Sequence, residues 1–395
     1  MTQLKTLINK PTFCSLPWKH VELNLVKDSV TTCPRSVATM GSITDGVPVV
    51  WTNQTYNSIR QSFLNEIIPS ACTACDGDYA NTSYKQHRNI TLKKNGYLDG
   101  DTDSLEAPVS ISVVLSNISN VAPRIYETTG TSSKTQELAA NNQVLRRFVP
   151  VSEEILPITS LQGSFINAKR VTIEGGEPTM HPHIIPLIDM ILEESDNKLK
   201  QLVITTNMTY RNVELLDKLK LLSNKVAVIF NILIDGNSGI HEYIRHGANW
   251  NTIVDNIDFT STNYNFIRYI ILTHISILNI GYLPELFVNL DQLQTNHKKF
   301  RFDEVQCTID KEDHLGPVNL PYDVKQQYLN KINDFEFVNL RIKETKKILD
   351  TCKRILQSAP NRSMTLFYDY ITAFDEVAGT DYKLLYPELA VGAPT

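Results

Sequence analysis

From Val109 to Ile309 short apolar runs alternate with amphipathic stretches, and no other feature restricts the fold as tightly. Residues 109–116, 168–174, 201–206, 226–235, 266–277 and 302–309 are apolar or β-branched runs of strand length. Between them 181–195, 212–223, 249–259 and 282–294 carry apolar residues at helical spacing, and 134–147 suits a helix. Strands interleaved with helices predict an α/β fold whose parallel sheet is joined by right-handed crossovers. Six units are too few for a closed eight-stranded barrel and suit an open, partial TIM-like one.

The flanks differ from this core. Residues 1–104 read as a loop-rich module. Its "HVELNLVKDSVTTC" alternates on both sides of Lys27-Asp28, like a hairpin whose second arm delivers Cys33. Ile59, Phe63 and Ile67 then recur every four residues, which predicts a helix over 57–67. "LKKNGYLDGDTDSLEAP" follows as a linker rich in turn dipeptides. The expected organisation is a module at 1–104, a barrel at 105–312 and a mainly helical extension at 313–395.

Bulk properties remove several classes of function. A chain of 395 residues with 42% hydrophobic and 21% charged residues is ordinary for a globular protein with a sizeable core. The net charge of −5, with basic residues scattered rather than striped, argues against nucleic acid. No apolar run approaches the ~20 residues that span a bilayer. "MTQLKTLINKPTF" lacks the apolar core of a secretory signal, so the expected compartment is the cytoplasm.

Four of the six cysteines, Cys14, Cys33, Cys72 and Cys75, fall in the first fifth of the chain. Four thiolates are the usual ligand set for zinc or an iron–sulfur cluster. Their gaps of 18, 38 and 2 residues include one C-x2-C chelate, enough to fold a small module around a metal. Cys307 and Cys352 stand apart and read as small core residues.

In a parallel sheet the ligand site lies at the carboxyl ends of the strands. The 168–174 strand runs into Gly175, Gly176, Glu177 and Pro178. Two glycines permit positive φ and close backbone approach, and Glu177 adds a charge. The next strand ends in Thr205, Thr206 and Asn207, and the one after it in Asp235-Gly236. Such polar ends suit a small polar ligand, although Thr206, Asn207 and Asp235 also suit helix caps. His181 and His183, flanking Pro182, read as surface residues. Trp18 and Trp51 read as packing for the cysteine module.

"GGEP" after the second strand of such a barrel resembles the radical S-adenosylmethionine (SAM) superfamily. "FCSLPWKHVELN", "TTCPRS", "YNSIRQSFL", "ACTAC" and "IDGNSGIHEYIRHGANW" resemble its twitch-domain branch, often encoded in phage and bacterial genomes. The resemblance runs from about Phe13 to beyond Cys307. It implies a radical-SAM-type partial (β/α)6 barrel, SAM held against Gly175–Pro178, and an auxiliary [4Fe–4S] cluster on Cys14, Cys33, Cys72 and Cys75. From spacing alone Zn2+ serves those four thiolates equally well.

The same family carries C-x3-C-x2-C just after the first strand, three ligands of the cluster that activates SAM. With Leu115-Ser116-Asn117 before and Thr131-Ser132-Ser133 after, those three positions here are Ser119, Pro123 and Tyr126. Proline has no side-chain ligand, and serine and tyrosine hydroxyls are protonated near neutrality. The resemblance therefore implies a degenerate member: a pseudoenzyme that binds a peptide, a protein or a small polar ligand and makes no 5′-deoxyadenosyl radical. The alternatives are a working radical SAM enzyme acting on a peptide or protein, and a non-radical SAM-binding enzyme using Glu177 or Asp235.

Overall fold

The computed structural model describes residues 13–75, 107–125, 132–150, 155–310, 312–335, 341–360 and 362–391. In chain order its strands are β1 (His20–Asn24), β2 (Ser29–Thr31), β3 (Ser110–Val114), β4 (Ala122–Pro123), β5 (Arg170–Glu174), β6 (Gln201–Thr206), β7 (Ala227–Leu233), β8 (Arg245–His246), β9 (Arg268–Ile275) and β10 (Phe302–Ile309). Helix Ile184–Ser195 follows β5, Val213–Leu222 follows β6, Trp250–Asn263 precedes β9 and Leu283–Asn296 follows it. The alternation expected from 168 to 309 is thus present, with ends displaced by a few residues.

One expected helix is shorter. Only Ser133–Ala139 is α-helical, and a separate 3-10 turn covers Leu145–Arg147. The cause is local: Asn142 Oδ1 accepts the amides of Val144 and Leu145, replacing the helical carbonyl acceptors. The first helical stretch also moves, to Gln54–Leu64, because the Asn53 side chain caps it by accepting the Tyr56 amide.

The chain forms two compact units. The first comprises Met1–Ser116, Ser152–Ile204 and Asn224–Ala227; the second comprises Asn117–Val151, Thr205–Ser223 and Val228–Thr395. In the first, β1 pairs antiparallel with β2, Glu22 opposite Thr31. The hairpin turn is held by Asn24 Oδ1, which accepts the Val26 and Lys27 amides, and by Asp28 at φ 44°. The other edge of β1 runs parallel to β3, in register from His20–Ser110 to Asn24–Val114. β3 is parallel to β5, and β5 to β6. Val21, Leu23, Ile111, Val113, Val171, Ile173, Leu202 and Ile204 fill one face, all fully buried.

In the second unit β7, β9 and β10 are parallel neighbours. A separate ladder pairs β4 with β8 antiparallel, Ala122 opposite His246 and Pro123 opposite Arg245. The chain after Pro321 folds into helices Tyr322–Asn333, Thr345–Gln357 and Thr365–Ala378. The last of these contributes Tyr370, Ala373 and Phe374 to a core shared with Ala122, Ala139, Leu145 and Val149. Among the described residues no helix is long and apolar enough to cross a membrane.

Candidate functional site

The loop after β3 is built as structure. Ser119 donates its amide to Ser133 Oγ at 3.2 Å, and its hydroxyl accepts the Val121 amide at 3.2 Å. Asn117 O accepts the Ser133 amide at 2.7 Å, and Ser132 Oγ donates to Val121 O at 2.8 Å. Pro123 lies in the β4–β8 ladder, which continues as the Arg124 amide donates to Ile244 O at 2.7 Å. Tyr126 lies outside the described residues.

The chemistry of this loop resides in Arg124, which no sequence motif singles out. Its side chain is fully buried, with the guanidinium 4.0 Å from the Tyr243 ring centre and 4.3 Å from that of Phe374. Nη2 donates to Asp375 Oδ1 at 2.9 Å, and Nη1 donates to the Tyr243 carbonyl. Asp375 also accepts the Tyr243 hydroxyl at 2.9 Å, Thr380 Oγ1 at 2.6 Å and the Tyr382 amide at 2.6 Å. A buried charge pair is tolerated only with this density of partners.

Asp235 is likewise engaged. Its Oδ2 accepts Arg245 Nε at 2.6 Å, both side chains being buried, and its Oδ1 accepts the His274 amide at 2.7 Å. Burial pushes the carboxyl pKa up, but Arg245, His274 and His241 outweigh it and hold the group below the usual carboxylate range. Arg245 also faces Pro123 in the ladder, so one residue ties Asp235 to the loop. Thr206 Oγ1 accepts the Met208 amide and Asn207 Oδ1 accepts the Thr209 amide, forming consecutive side-chain turns. Thr209 Oγ1 donates to Asn120 Oδ1 at 2.9 Å. The second unit therefore brings Ser119, Pro123, Asn207 and Asp235 into one hydrogen-bonded neighbourhood. Asn212 and Asn237, rather than Asn207 and Asp235, cap the helices that follow.

Gly175 to Pro178 belong to the first unit. Gly175 sits at φ 94°, and a Cβ there would lie 2.7 Å from the Ser116 carbonyl oxygen. The close backbone approach that requires glycine is thus made by the chain itself. Glu177 is fully buried and accepts both the amide and the hydroxyl of Thr179, at 3.2 and 2.7 Å. Pro178 occupies the first position of the 3-10 turn Pro178–Met180. The expectation of two surface histidines is corrected in part. His183 is exposed, but His181 is buried and accepts the His183 amide at 3.2 Å. Burial, then the neighbouring His183, lowers the His181 pKa to about 4.

Cys14, Cys33 and Cys72 are half-buried thiols. Cys14 and Cys33 pack on the same Leu16, and Cys72 lies on the 3-10 turn Ser70–Cys75; the Cys75 side chain lies outside the described residues. All three thiols act on the Tyr56 hydroxyl: burial raises its pKa, Arg60 opposes this, and Cys33, Cys72 and Cys14 raise it further. Three cysteines 58 positions apart at their extremes thus bear electrostatically on one hydroxyl. Arg60 stacks 4.4 Å from the centres of both the Trp51 and Tyr56 rings, adding a positive charge beside them. Thiolates are the right donor type for zinc or an iron–sulfur cluster, but among the described residues no three cysteine, histidine or acidic side chains gather as a metal-binding group. Trp18 and Trp51 are buried here, Trp18 stacking on Phe13 with ring centres 5.3 Å apart.

The first unit also holds a group that motif reasoning misses. Opposite the apolar face, His20, Glu22 and Asn24 of β1 share a side with Ser110 and Ser112 of β3 and Arg170, Thr172 and Glu174 of β5. Glu22 is 8% exposed, and its pKa rises to about 8, first from burial and then from Glu174, with Lys27 opposing. His20 binds Ser110 Oγ through Nδ1 at 2.9 Å, and burial with Arg170 lowers its pKa to about 3. The alternation in "HVELN" was the available signal.

No family model matches the sequence, and no curated protein matches it. Among solved structures, the chain is similar to anSMEcpe with bound AdoMet at 16% identity and a TM-score of 0.39, over 58% of this chain and 60% of that one. It therefore spans about three fifths of the length of that protein. It is also similar to SuiB of Streptococcus suis bound to the precursor peptide SuiA, at 13% identity and TM-score 0.39, over 90% and 76% of the two chains. A third is TYW1 with a lysine-pyruvate adduct, at 16% identity and TM-score 0.26, over 51% and 59%.

Proposed function

We propose that this is a radical-SAM-like α/β protein, of the twitch type, that has given up radical chemistry. It acts in the cytoplasm as a binding protein for a peptide, a protein or a small polar ligand. The observation that carries this reading is the engagement of the loop after β3. Ser119 closes a turn, Pro123 joins a ladder, and Arg124 enters a buried ion pair. Neither described position offers a thiolate to iron.

Cys14, Cys33, Cys72 and Cys75 would hold one metal group, a [4Fe–4S] cluster in the first instance and Zn2+ as the alternative. When bound, that group staples the chain around it and adds to folding free energy. The shared electrostatic effect of Cys14, Cys33 and Cys72 on Tyr56 supports the assignment. The carboxylates that a non-radical SAM enzyme would use are engaged elsewhere, Glu177 with Thr179 and Asp235 with Arg245.

Anaerobic reconstitution followed by iron and sulfide analysis tests the reading. It expects about four irons per chain, whereas about eight would restore a working radical enzyme and overturn it. One zinc without iron would select the alternative metal. Calorimetric titration with SAM in the reconstituted protein then reports whether Gly175–Pro178 still receives it.

A further inference from the structure

In the second unit the helices after Pro317 leave a cleft of about 530 Å3. Its lining comes from the start of helix Tyr322–Asn333, the end of Thr345–Gln357 and the loop leading into Thr365–Ala378. Space of that size takes a small ligand or a residue or two of a peptide. Pro321, Leu356, Pro360 and Met364 supply apolar wall, joined by the exposed ring of Tyr322. The loop is pinned at two points. Lys325 Nζ donates to Ser358 O at 2.7 Å, and the Arg362 amide donates to Asn319 Oδ1 at 3.0 Å. A cleft held open in this way spares a ligand the cost of ordering it.

The charge of the cleft is one-sided. Lys325 and Arg362 line it, and among the described residues no aspartate or glutamate does. Lys325 is 2% exposed, and burial lowers its pKa from the ordinary lysine value. Its ammonium carries three donors, of which Ser358 O takes one. Arg362 meets Asp313, outside the lining, at 3.4 Å. Both of those side chains are more than half exposed, so solvent screens the pair and a ligand competes with it. Asp323, two residues before Lys325, also lies outside the lining and acts on Tyr368. Helix Thr365–Ala378 starts beside the cleft without a side-chain cap, and that end adds partial positive charge. The end of Thr345–Gln357 opposes it with carbonyl oxygens, of which Lys325 holds the one on Ser358.

We propose that this cleft binds a carboxylate carried on a compact apolar body. Its oxygens are taken by Lys325 and Arg362, and its body lies against Leu356, Pro360 and Met364. Gln326 and Gln357 also line the cleft, with side-chain amides that both donate and accept, as a peptide group requires. The C-terminal residue of a peptide and a free short-chain acid share this chemistry, whereas inorganic phosphate offers nothing to the apolar wall. The site uses neither the N-terminal cysteines nor the loop after β3, so it stands or falls apart from the proposed function.

The test is calorimetry on the full chain with acetyl-glycyl-leucine, its carboxamide and 4-methylpentanoate. Acetyl-glycyl-leucine is expected to bind about tenfold more tightly than its carboxamide. Equal binding of 4-methylpentanoate identifies a free acid as the source of the carboxylate; weaker binding identifies a peptide C-terminus. A lysine that only capped its helix would, once replaced, weaken acid and carboxamide alike. Lys325→Met is instead expected to bring the two affinities within about twofold of each other. Arg362→Gln, at an exposed position, is expected to weaken the acid by about threefold while leaving the carboxamide and the melting temperature unchanged. No binding of the acid, equal binding of acid and carboxamide, an acid preference unchanged in both variants, or displacement of acetyl-glycyl-leucine by an equal concentration of inorganic phosphate overturns the proposal.

Discussion

Arg124 and Asp375, 251 positions apart in the chain, meet as a buried ion pair of 2.9 Å. Arg124 follows directly on β4, and Asp375 lies in the helix Thr365–Ala378. The loop after β3 is therefore held by helix Thr365–Ala378 as well as by its own turns. Tyr370 of the same helix donates its hydroxyl to the Arg124 carbonyl at 3.1 Å, so side chain and backbone are fixed together.

Breaking that pair should be expensive. Arg124→Met leaves Asp375 buried without a counter-charge, for an expected loss of about 3–5 kcal/mol. Arg124→Met combined with Asp375→Leu should cost less than the sum of the two single changes. Urea denaturation of all three variants checks this, and additive costs would show that the two residues do not act as a pair.

Gly175 and Gly163 separate backbone strain from collision. Both have positive φ, 94° and 80°, but a Cβ at Gly163 meets nothing within 4 Å, whereas one at Gly175 meets Ser116 O at 2.7 Å. Gly163→Ala should cost about 1 kcal/mol, and Gly175→Ala about 2–4 kcal/mol, since the obstacle is backbone. Thermal melts of the two variants side by side provide the measurement.

The raised pKa of Glu22 makes a signed prediction about stability. Its carboxyl loses its proton near pH 4.5 when unfolded and near pH 8 when folded. Between those values the native state binds more protons, so stability falls as pH rises through the window and levels off above pH 8. Glu22→Gln should match the parent near pH 4 and exceed it by about 2–5 kcal/mol at pH 9. His20, with a folded pKa near 3, contributes a slope of opposite sign between about pH 3 and pH 6.5 in both proteins, offsetting the Glu22 slope in the parent and standing alone in Glu22→Gln. Chemical denaturation across pH 4–9 distinguishes the curves; parallel curves would refute the assignment.

Cys33→Ser should abolish metal retention, while Cys352→Ser, at a fully buried position on helix Thr345–Gln357, should retain it. Metal content after gel filtration, with limited proteolysis of both variants, measures the difference.

The elements that were legible are those set by neighbours in the chain. The strand-and-helix alternation, and the hairpin around Lys27-Asp28, follow from side chains a few residues apart. The shortened helix after Ser132 was legible in principle, since the competing acceptor, Asn142, lies two and three residues from the amides it takes. The candidate site was legible only as an inventory. Glu177 and Asp235 could be named as polar strand ends, but their partners Thr179 and Arg245 could be identified only after folding.

By itself the sequence determined the period of each segment, the absence of cysteine at Ser119, Pro123 and Tyr126, and the clustering of four cysteines near the start. All of these are properties of residue type and spacing. Only the tertiary structure decided that β1 lies parallel to β3, that Arg124 finds Asp375, and that the polar side of "HVELN" is buried. Alternation specifies that a strand has two unlike faces. Which face loses its water depends on strands such as β3, some 90 positions on, and that loss raises the pKa of Glu22 from the usual carboxylate range to about 8.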